Sequence, residues 1–265
     1  MAVLDIQNLG IVFGGLKAVT NFNLTLEEGE LVGLIGPNGA GKTTVFNILT
    51  GVYAPTSGDI IFNNTDSKKG PRSIIKLKPH KITQLGLART FQNIRLFKDL
   101  TVLDNIRIAF HFNVKYTALQ AILRTTFFFK EEEEITEKAR ELLKIFNIQH
   151  KENELAKNLP YGEQRKLEIT RALATNPKIL LLDEPAAGMN PQETQDLMHL
   201  IKFIRDKFKL TILLIEHDMS LVMGICEKIA VLDYGHTIAI GTPAEISKDP
   251  KVIKAYLGEE VEADA

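Results

Sequence analysis

The chain has 265 residues, 45% hydrophobic and 25% charged, with a formal net charge of −1 and one cysteine. That length can bury a full apolar core without disulfides or metals, and the lone Cys226 excludes an internal bridge and fits a reducing compartment. The balanced charge offers no global basic field for nucleic-acid phosphates, the N-terminus lacks the basic-then-apolar run of a secretory leader, and no apolar run approaches the roughly 18 residues of a membrane-spanning helix, so a role at a membrane requires docking on another chain.

Residues 2–30 and 58–63 alternate apolar and polar positions, with turn signals at Gly14-Gly15, Glu28-Gly29 and Asn63-Asn64, which predicts antiparallel β structure. Leu31–Ile35 is a continuous apolar run, as expected of a strand buried on both faces. It leads into Gly36-Pro37-Asn38-Gly39-Ala40-Gly41-Lys42-Thr43, which fits G-x-x-x-x-G-K-[ST] between a strand and a helix. Glycines let backbone N–H groups close around phosphate oxygens, and the following helix N-terminus adds a favourable dipole. Lys42 is expected to reach the β- and γ-phosphates, Thr43 to place its hydroxyl on Mg²⁺, and Thr44 to complete the ATP cradle. Four fixed positions arise by chance roughly once per hundred such sequences, and the strand–loop–helix context makes accident rarer still.

Residues 95–158 lack strand patterning. A helix is predicted from Thr101 to about Tyr116, and Ile135, Ala139, Leu142, Leu143 and Phe146 share one face of a second helix. The segment reads as a helical insertion between two halves of an α/β core. The run Glu131–Glu134 is expected to be a solvated helix start, and Phe127–Phe129 to pack in the core rather than meet a partner.

Three further apolar runs follow: Ile179–Leu182, Thr211–Ile215 and Ile229–Leu232. With Leu31–Ile35 they predict a mostly parallel sheet covered by helices. The first ends in Asp183-Glu184. Desolvating paired carboxylates is costly unless they meet cations, and strand ends in parallel sheets are where ligands sit. Asp183 is therefore the expected Mg²⁺-side carboxylate and Glu184 the acid that polarises an attacking water. Thr211–Ile215 ends at Glu216-His217, which could bring the His217 imidazole to the γ-phosphate. His80, His111, His150, His199 and His236 read as ordinary polar residues. Helices starting at Pro243 and near Pro250 precede an acidic tail.

Together these elements resemble the ABC-type ATPase domain over nearly the whole chain. The resemblance implies an α/β fold: a RecA-like P-loop NTPase core with an N-terminal antiparallel β subdomain and an inserted α-helical subdomain. It implies one domain over 1–258, with 1–95 and 159–240 as core, 96–158 as helical subdomain, 241–258 as C-terminal helices and 259–265 as tail. In that family's pattern Phe13 stacks on adenine beside Gly14-Gly15. Gln92, in Arg89-Thr90-Phe91-Gln92-Asn93, senses Mg²⁺ and the attacking water, and His217 is the switch histidine. Leu159-Pro160-Tyr161-Gly162-Glu163-Gln164-Arg165-Lys166-Leu167 aligns with the signature L-S-G-G-Q, so Tyr161, Gly162, Glu163 and Gln164 are expected at the ATP of an opposite protomer. Pro160, Tyr161 and Glu163 depart from that pattern, and Asn190 stands where the family usually has aspartate. A weaker half-site is the expectation.

The FGGLKAV opening, Gly86–Asn93, the L-P-Y-G-E-Q-R-K-L-E form and the ending Gly241-Thr242-Pro243 through Gly258 are similar to ATP-binding subunits of hydrophobic and branched-chain amino acid importers. Urea importers and the lipopolysaccharide export ATPase are close cousins. The resemblance implies ATP hydrolysis with Mg²⁺ and a peripheral position on the cytoplasmic face of the membrane. The implied partners are a second ABC ATPase subunit (a paralogue, or a second copy in isolation), two integral-membrane permease subunits and an extracytoplasmic substrate-binding protein, with no nucleic acid. A nucleic-acid-acting ABC ATPase is disfavoured by the absence of coiled-coil or zinc insertions, and a P-loop kinase by Glu184 and the signature-like segment.

Overall fold

The computed structural model describes residues 2–63 and 70–263. In chain order the elements are β1 (Ala2–Phe13), β2 (Leu16–Glu27), β3 (Leu31–Ile35), α1 (Lys42–Leu49), β4 (Ser57–Phe62), β5 (Arg72–Ser73), α2 (Pro79–Leu85) and β6 (Leu87–Arg89). Four helices follow: α3 (Val102–Phe110), α4 (Ala118–Ile122), α5 (Thr126–Ile145) and α6 (Tyr161–Leu173). The chain ends with β7 (Ile179–Asp183), α7 (Pro191–Phe208), β8 (Thr211–Ile215), α8 (Met219–Ile225), β9 (Lys228–Asp233), β10 (His236–Gly241), α9 (Pro243–Ile246) and α10 (Pro250–Ala263). It divides into two compact units, 1–89 with 178–265, and 90–177.

The first unit holds two sheets among its described residues. One has the order β10-β9-β3-β8-β7-β6, parallel except for the antiparallel edge strand β10. Every residue of β3, β7 and β8 is buried, which is why their sequences are continuous apolar runs. Gly33 lets α8 close on β3, because a Cβ there would lie 3.1 Å from Val222 and 3.2 Å from the Cys226 sulfur. The second sheet, β2-β1-β4-β5, is antiparallel as the alternating pattern predicted. Phe22, Phe46 and Phe62 are fully buried in the core that these sheets share with α1. Of the predicted Asn63-Asn64 turn, Asn64 lies outside the described residues. Because β3, β8 and β7 are parallel neighbours, the segments after Ile35, Ile215 and Asp183 emerge at one edge of the sheet.

In the second unit α3 packs on α5 and α6, and α5 buries Ile135, Ala139, Leu142 and Leu143. The unit extends beyond the predicted 96–158 because α6, which begins at the signature segment, packs with the helices before it. The first predicted helix ends at Phe110, short of Tyr116, in a 3₁₀ turn at His111–Asn113. Glu131–Glu134 is not a helix start: α5 begins at Thr126, capped by the Thr125 hydroxyl. Glu131 accepts the backbone N–H groups of Lys115 and Tyr116, while Glu132 accepts from Arg107, His111 and the Tyr116 hydroxyl. Phe127 and Phe129 are exposed, against the expectation of core packing, and Phe128 is half-buried edge-on to Tyr116. The last helix, α10, continues through Ala263 into the stretch expected as a tail.

Candidate nucleotide site

The loop between β3 and α1 is shaped by close backbone approaches. At Gly36, with φ +146°, a Cβ would sit 1.9 Å from the Leu232 carbonyl oxygen, and at Gly41, with φ +104°, 2.7 Å from that of Ala18. No side chain fits at either place. The buried Lys42 donates from Nζ to the carbonyls of Gly36 at 2.6 Å and Pro37 at 2.8 Å, so the ammonium curls back under the loop. Helix α1 has Gly41 as its N-cap with no side-chain cap bond, and the positive end of its dipole faces the loop, where an anion is favoured.

Asn38, Gly39, Ala40, Gly41, Lys42, Thr43 and Thr44 line a cavity of about 380 Å³ together with Lys17, Tyr234, Glu184 and His217. The ends of β7 and β8 thus bring Glu184 and His217 to the same space as the phosphate loop. The Glu184 Oε1 lies 2.8 Å from the His217 Nε2. Glu184 has φ +46°, a left-handed conformation that costs an ordinary residue about 1–3 kcal/mol, and its N–H donates to the Ile215 carbonyl at 2.9 Å. Glu216, buried between them in sequence, accepts the Ala186 N–H at 2.6 Å and the His217 N–H at 3.1 Å. Burial pushes its carboxyl above the usual range, although those N–H donors oppose the shift. Glu216 therefore ties the loop after Glu184 to the segment bearing His217.

Asp183 is buried and does not line the cavity; its carboxylate pairs with the Arg89 guanidinium at 2.6 Å. Arg89 also donates to the Asn47 side chain at 2.8 Å, linking β7, β6 and α1. Among the described residues no group of three or more His, Cys, Asp or Glu could hold a metal. A Mg²⁺ ion keeps waters and phosphate ligands and needs few protein oxygens. The Thr43 hydroxyl lines the cavity and fits that modest donor set, whereas the Asp183 carboxylate at the strand end is held by Arg89. Phe13 is exposed at the β1–β2 turn, packs edge-on against Tyr53 with ring centroids 5.2 Å apart, and is not among the residues lining the cavity.

Gln92 and the signature segment belong to the second unit. Gln92 is exposed, and its carbonyl accepts from Arg165 at 2.8 Å. Arg165 is fully buried on α6; it also donates to the Phe91 carbonyl and the Glu168 carboxylate, both at 2.7 Å. Glu168 in turn accepts the N–H groups of Phe91 and Arg95. One buried ion pair thus grips the backbone around Gln92. Helix α6 starts at Tyr161 behind Pro160, with no side-chain N-cap bond. Glu163 pairs with Lys151 at 2.7 Å, Gln164 donates to the Leu159 carbonyl at 2.8 Å, and Gly162 lies between the exposed Tyr161 and these anchored residues. Asn190 caps α7 in a reciprocal box with Glu193.

Arg89, Glu216, Tyr234 and the Arg165–Glu168 pair were not singled out from sequence. Only the last left a signal: a cation and an acid three residues apart that share a helix face with the apolar Ile169.

Residues 19–187 match the family model for ABC transporters, and residues 236–262 match the model for branched-chain amino acid ATP-binding cassette transporters. Over 97% of its length the chain is 48% identical to the high-affinity branched-chain amino acid transport ATP-binding protein BraF of Pseudomonas aeruginosa and 46% identical to LivG of Escherichia coli, covering 98% of each. It is 36% identical to the lipopolysaccharide export system ATP-binding protein LptB of Escherichia coli over 98% of this chain and 99% of that one. An ATP-binding cassette of an ABC transporter solved in its ADP conformation is similar with a TM-score of 0.82 at 31% identity, over 97% of this chain and 99% of that chain. A dimeric post-hydrolysis cassette bound to ADP and Pi is similar with a TM-score of 0.73 at 25% identity, over 91% and 98%. The chain belongs to the ABC transporter family, as one of its ATP-binding, ATP-hydrolysing subunits.

Proposed function

We propose that this chain powers an importer of branched-chain amino acids from the cytoplasmic face of the membrane. The observation that carries the substrate class is the match of its C-terminal residues 236–262 to the branched-chain amino acid transporter model, joined to likeness over nearly the full length of BraF and LivG. Among the described residues no helix is long and apolar enough to cross a membrane. Passage of the substrate then falls to partners: two permease subunits, an extracytoplasmic binding protein and a second ATPase subunit, with no part for nucleic acid. The two units are read as one ATPase domain over 1–258.

In this reading the phosphates of ATP occupy the cavity lined by Asn38–Thr44. Lys42 exchanges its bonds to the Gly36 and Pro37 carbonyls for phosphate oxygens. Thr43, Asp183 and Gln92 would hold Mg²⁺, which when bound neutralises phosphate charge and polarises the γ-phosphorus. The Glu184 carboxylate orients a water and takes its proton as the water oxygen bonds to the γ-phosphorus. The bond to the β–γ bridging oxygen breaks, and ADP and phosphate leave. His217, 2.8 Å from Glu184, holds that carboxylate in place. Phe13 packs on adenine, and Tyr161–Gln164 approach the ATP of the opposite protomer. Because Pro160 supplies no hydroxyl, this half-site makes the weaker contact.

The 36% likeness to LptB keeps lipopolysaccharide export as the second reading. The test is uptake of labelled leucine, isoleucine, valine and urea in source cells carrying Lys42→Ala. Selective loss of the branched-chain amino acids is the expected result. Loss of urea uptake alone moves the chain to the urea branch, and unchanged uptake of all four moves it to export.

A further inference from the structure

The tip of the helical unit departs from ordinary surface chemistry. Leu119, Ile122 and Leu123 are 65%, 77% and 65% exposed, and Phe127 and Phe129 are exposed beside them. Helix α4 buries no residue at all. Isolated exposed apolar side chains are normal, but five within eleven consecutive residues mark a contact surface.

The tip is nevertheless built. Thr117 and Gln120 cap α4 reciprocally, Thr125 caps α5, and Arg124 turns the chain with φ +48°. Its base is fastened where Glu131 takes the N–H groups of Lys115 and Tyr116 and Glu132 takes the Tyr116 hydroxyl. The apolar side chains thus project from a fixed backbone.

Their neighbours say what they meet. Residues 114–130 contain three charged side chains, the exposed Lys115, Arg124 and Lys130, and no acid. Lys130 stands beside Glu133 and Glu134 on α5, but Lys115 and Arg124 lie among the apolar side chains with no acid in their stretch of chain. That mixture is the chemistry of an interfacial segment on an anionic lipid surface, where the hydrocarbon takes the apolar groups and headgroup phosphates take the cations. We propose that the tip over residues 115–130 inserts shallowly into the headgroup region of a membrane containing anionic lipid. The exposed acids Glu133 and Glu134, one helical turn beyond Phe129, limit its depth.

The test is flotation of the full-length chain with vesicles of phosphatidylcholine alone or mixed with phosphatidylglycerol. Partition onto the anionic vesicles should exceed that onto neutral ones at least about tenfold and weaken with salt. The triple variants L119S/I122S/L123S and K115Q/R124Q/K130Q should each lower it at least about tenfold while keeping ATP hydrolysis, since none of these residues lines the nucleotide cavity. The chain has no tryptophan, so Ile122→Trp gives a single emission that should shift to the blue on anionic vesicles only, a readout that stands even where a triple variant misfolds. Equal binding to both vesicles, no binding, unaffected variants or an unmoved emission would overturn the proposal. Binding that requires permease subunits in the vesicle would assign the tip to a protein partner and overturn it as well.

Discussion

The Nε2 atom of His217 lies 2.8 Å from Oε1 of Glu184, across the ends of the neighbouring parallel strands β8 and β7. A carboxylate held by an imidazole at the mouth of a phosphate loop is suited to take a proton from water. Glu184→Gln should therefore bind ATP normally and hydrolyse it about 10²–10⁴-fold more slowly. Single-turnover hydrolysis beside a nucleotide titration checks this, and a wild-type rate would remove Glu184 from the catalytic role.

Lys42→Ala acts earlier. It removes charge-assisted phosphate contacts of about 1.5–3 kcal/mol, so ATP affinity should weaken and steady-state hydrolysis fall to background. Fluorescent-nucleotide titration separates this binding defect from the rate defect of Glu184→Gln.

Glu216 carries a pH signature. Burial raises its folded-state pKa above the ordinary 4.5. A raised carboxyl contributes its stability fully below the unfolded value, and that contribution is lost as pH rises through the folded value. The wild type should thus lose stability relative to Glu216→Gln as pH climbs from about 4.5. Thermal unfolding of both proteins across that window checks the sign; a constant gap would contradict it.

The Arg165–Glu168 pair is buried at both ends. Removing one partner leaves an uncompensated charge and should cost about 3–5 kcal/mol, whereas replacing both with apolar residues of similar volume should cost far less. Denaturant unfolding of R165M, E168L and the double variant checks this. Hydrolysis by the double variant then reads the grip on the Phe91–Gln92 backbone together with the Arg165 bond to the Tyr161 hydroxyl, and should fall although the fold is intact.

Cys226 is buried, and burial pushes its thiol up to about 12. It should resist thiol reagents in the native protein and react only through opening of the fold, measured by labelling against denaturant concentration.

Much of this was legible in the sequence for one physical reason: strands buried on both faces need continuous apolar runs, so β3 and β8 match their predicted bounds and their ends locate the chemistry. The Arg89–Asp183 pair was not legible, because its members lie 94 residues apart and β6 is a three-residue strand. Glu131 and Glu132 were misread because a run of like charges looks solvated until tertiary partners arrive, here from 15 to 25 residues upstream. Phe127 and Phe129 defied the usual burial of aromatics, standing exposed on the first turn of α5. Gln92 was located by resemblance alone, and the buried pair that holds its backbone emerged only with the fold.

In the proposed function, hydrolysis at the Glu184 cavity drives branched-chain amino acids inward. The direct measurement is ATP-dependent accumulation of labelled leucine by proteoliposomes holding the complete transporter, with this chain as wild type or Glu184→Gln. Concentrative uptake is expected with the wild type and none beyond equilibration with the variant, at equal ATP occupancy. Leucine accumulation by the variant at the wild-type rate would contradict it.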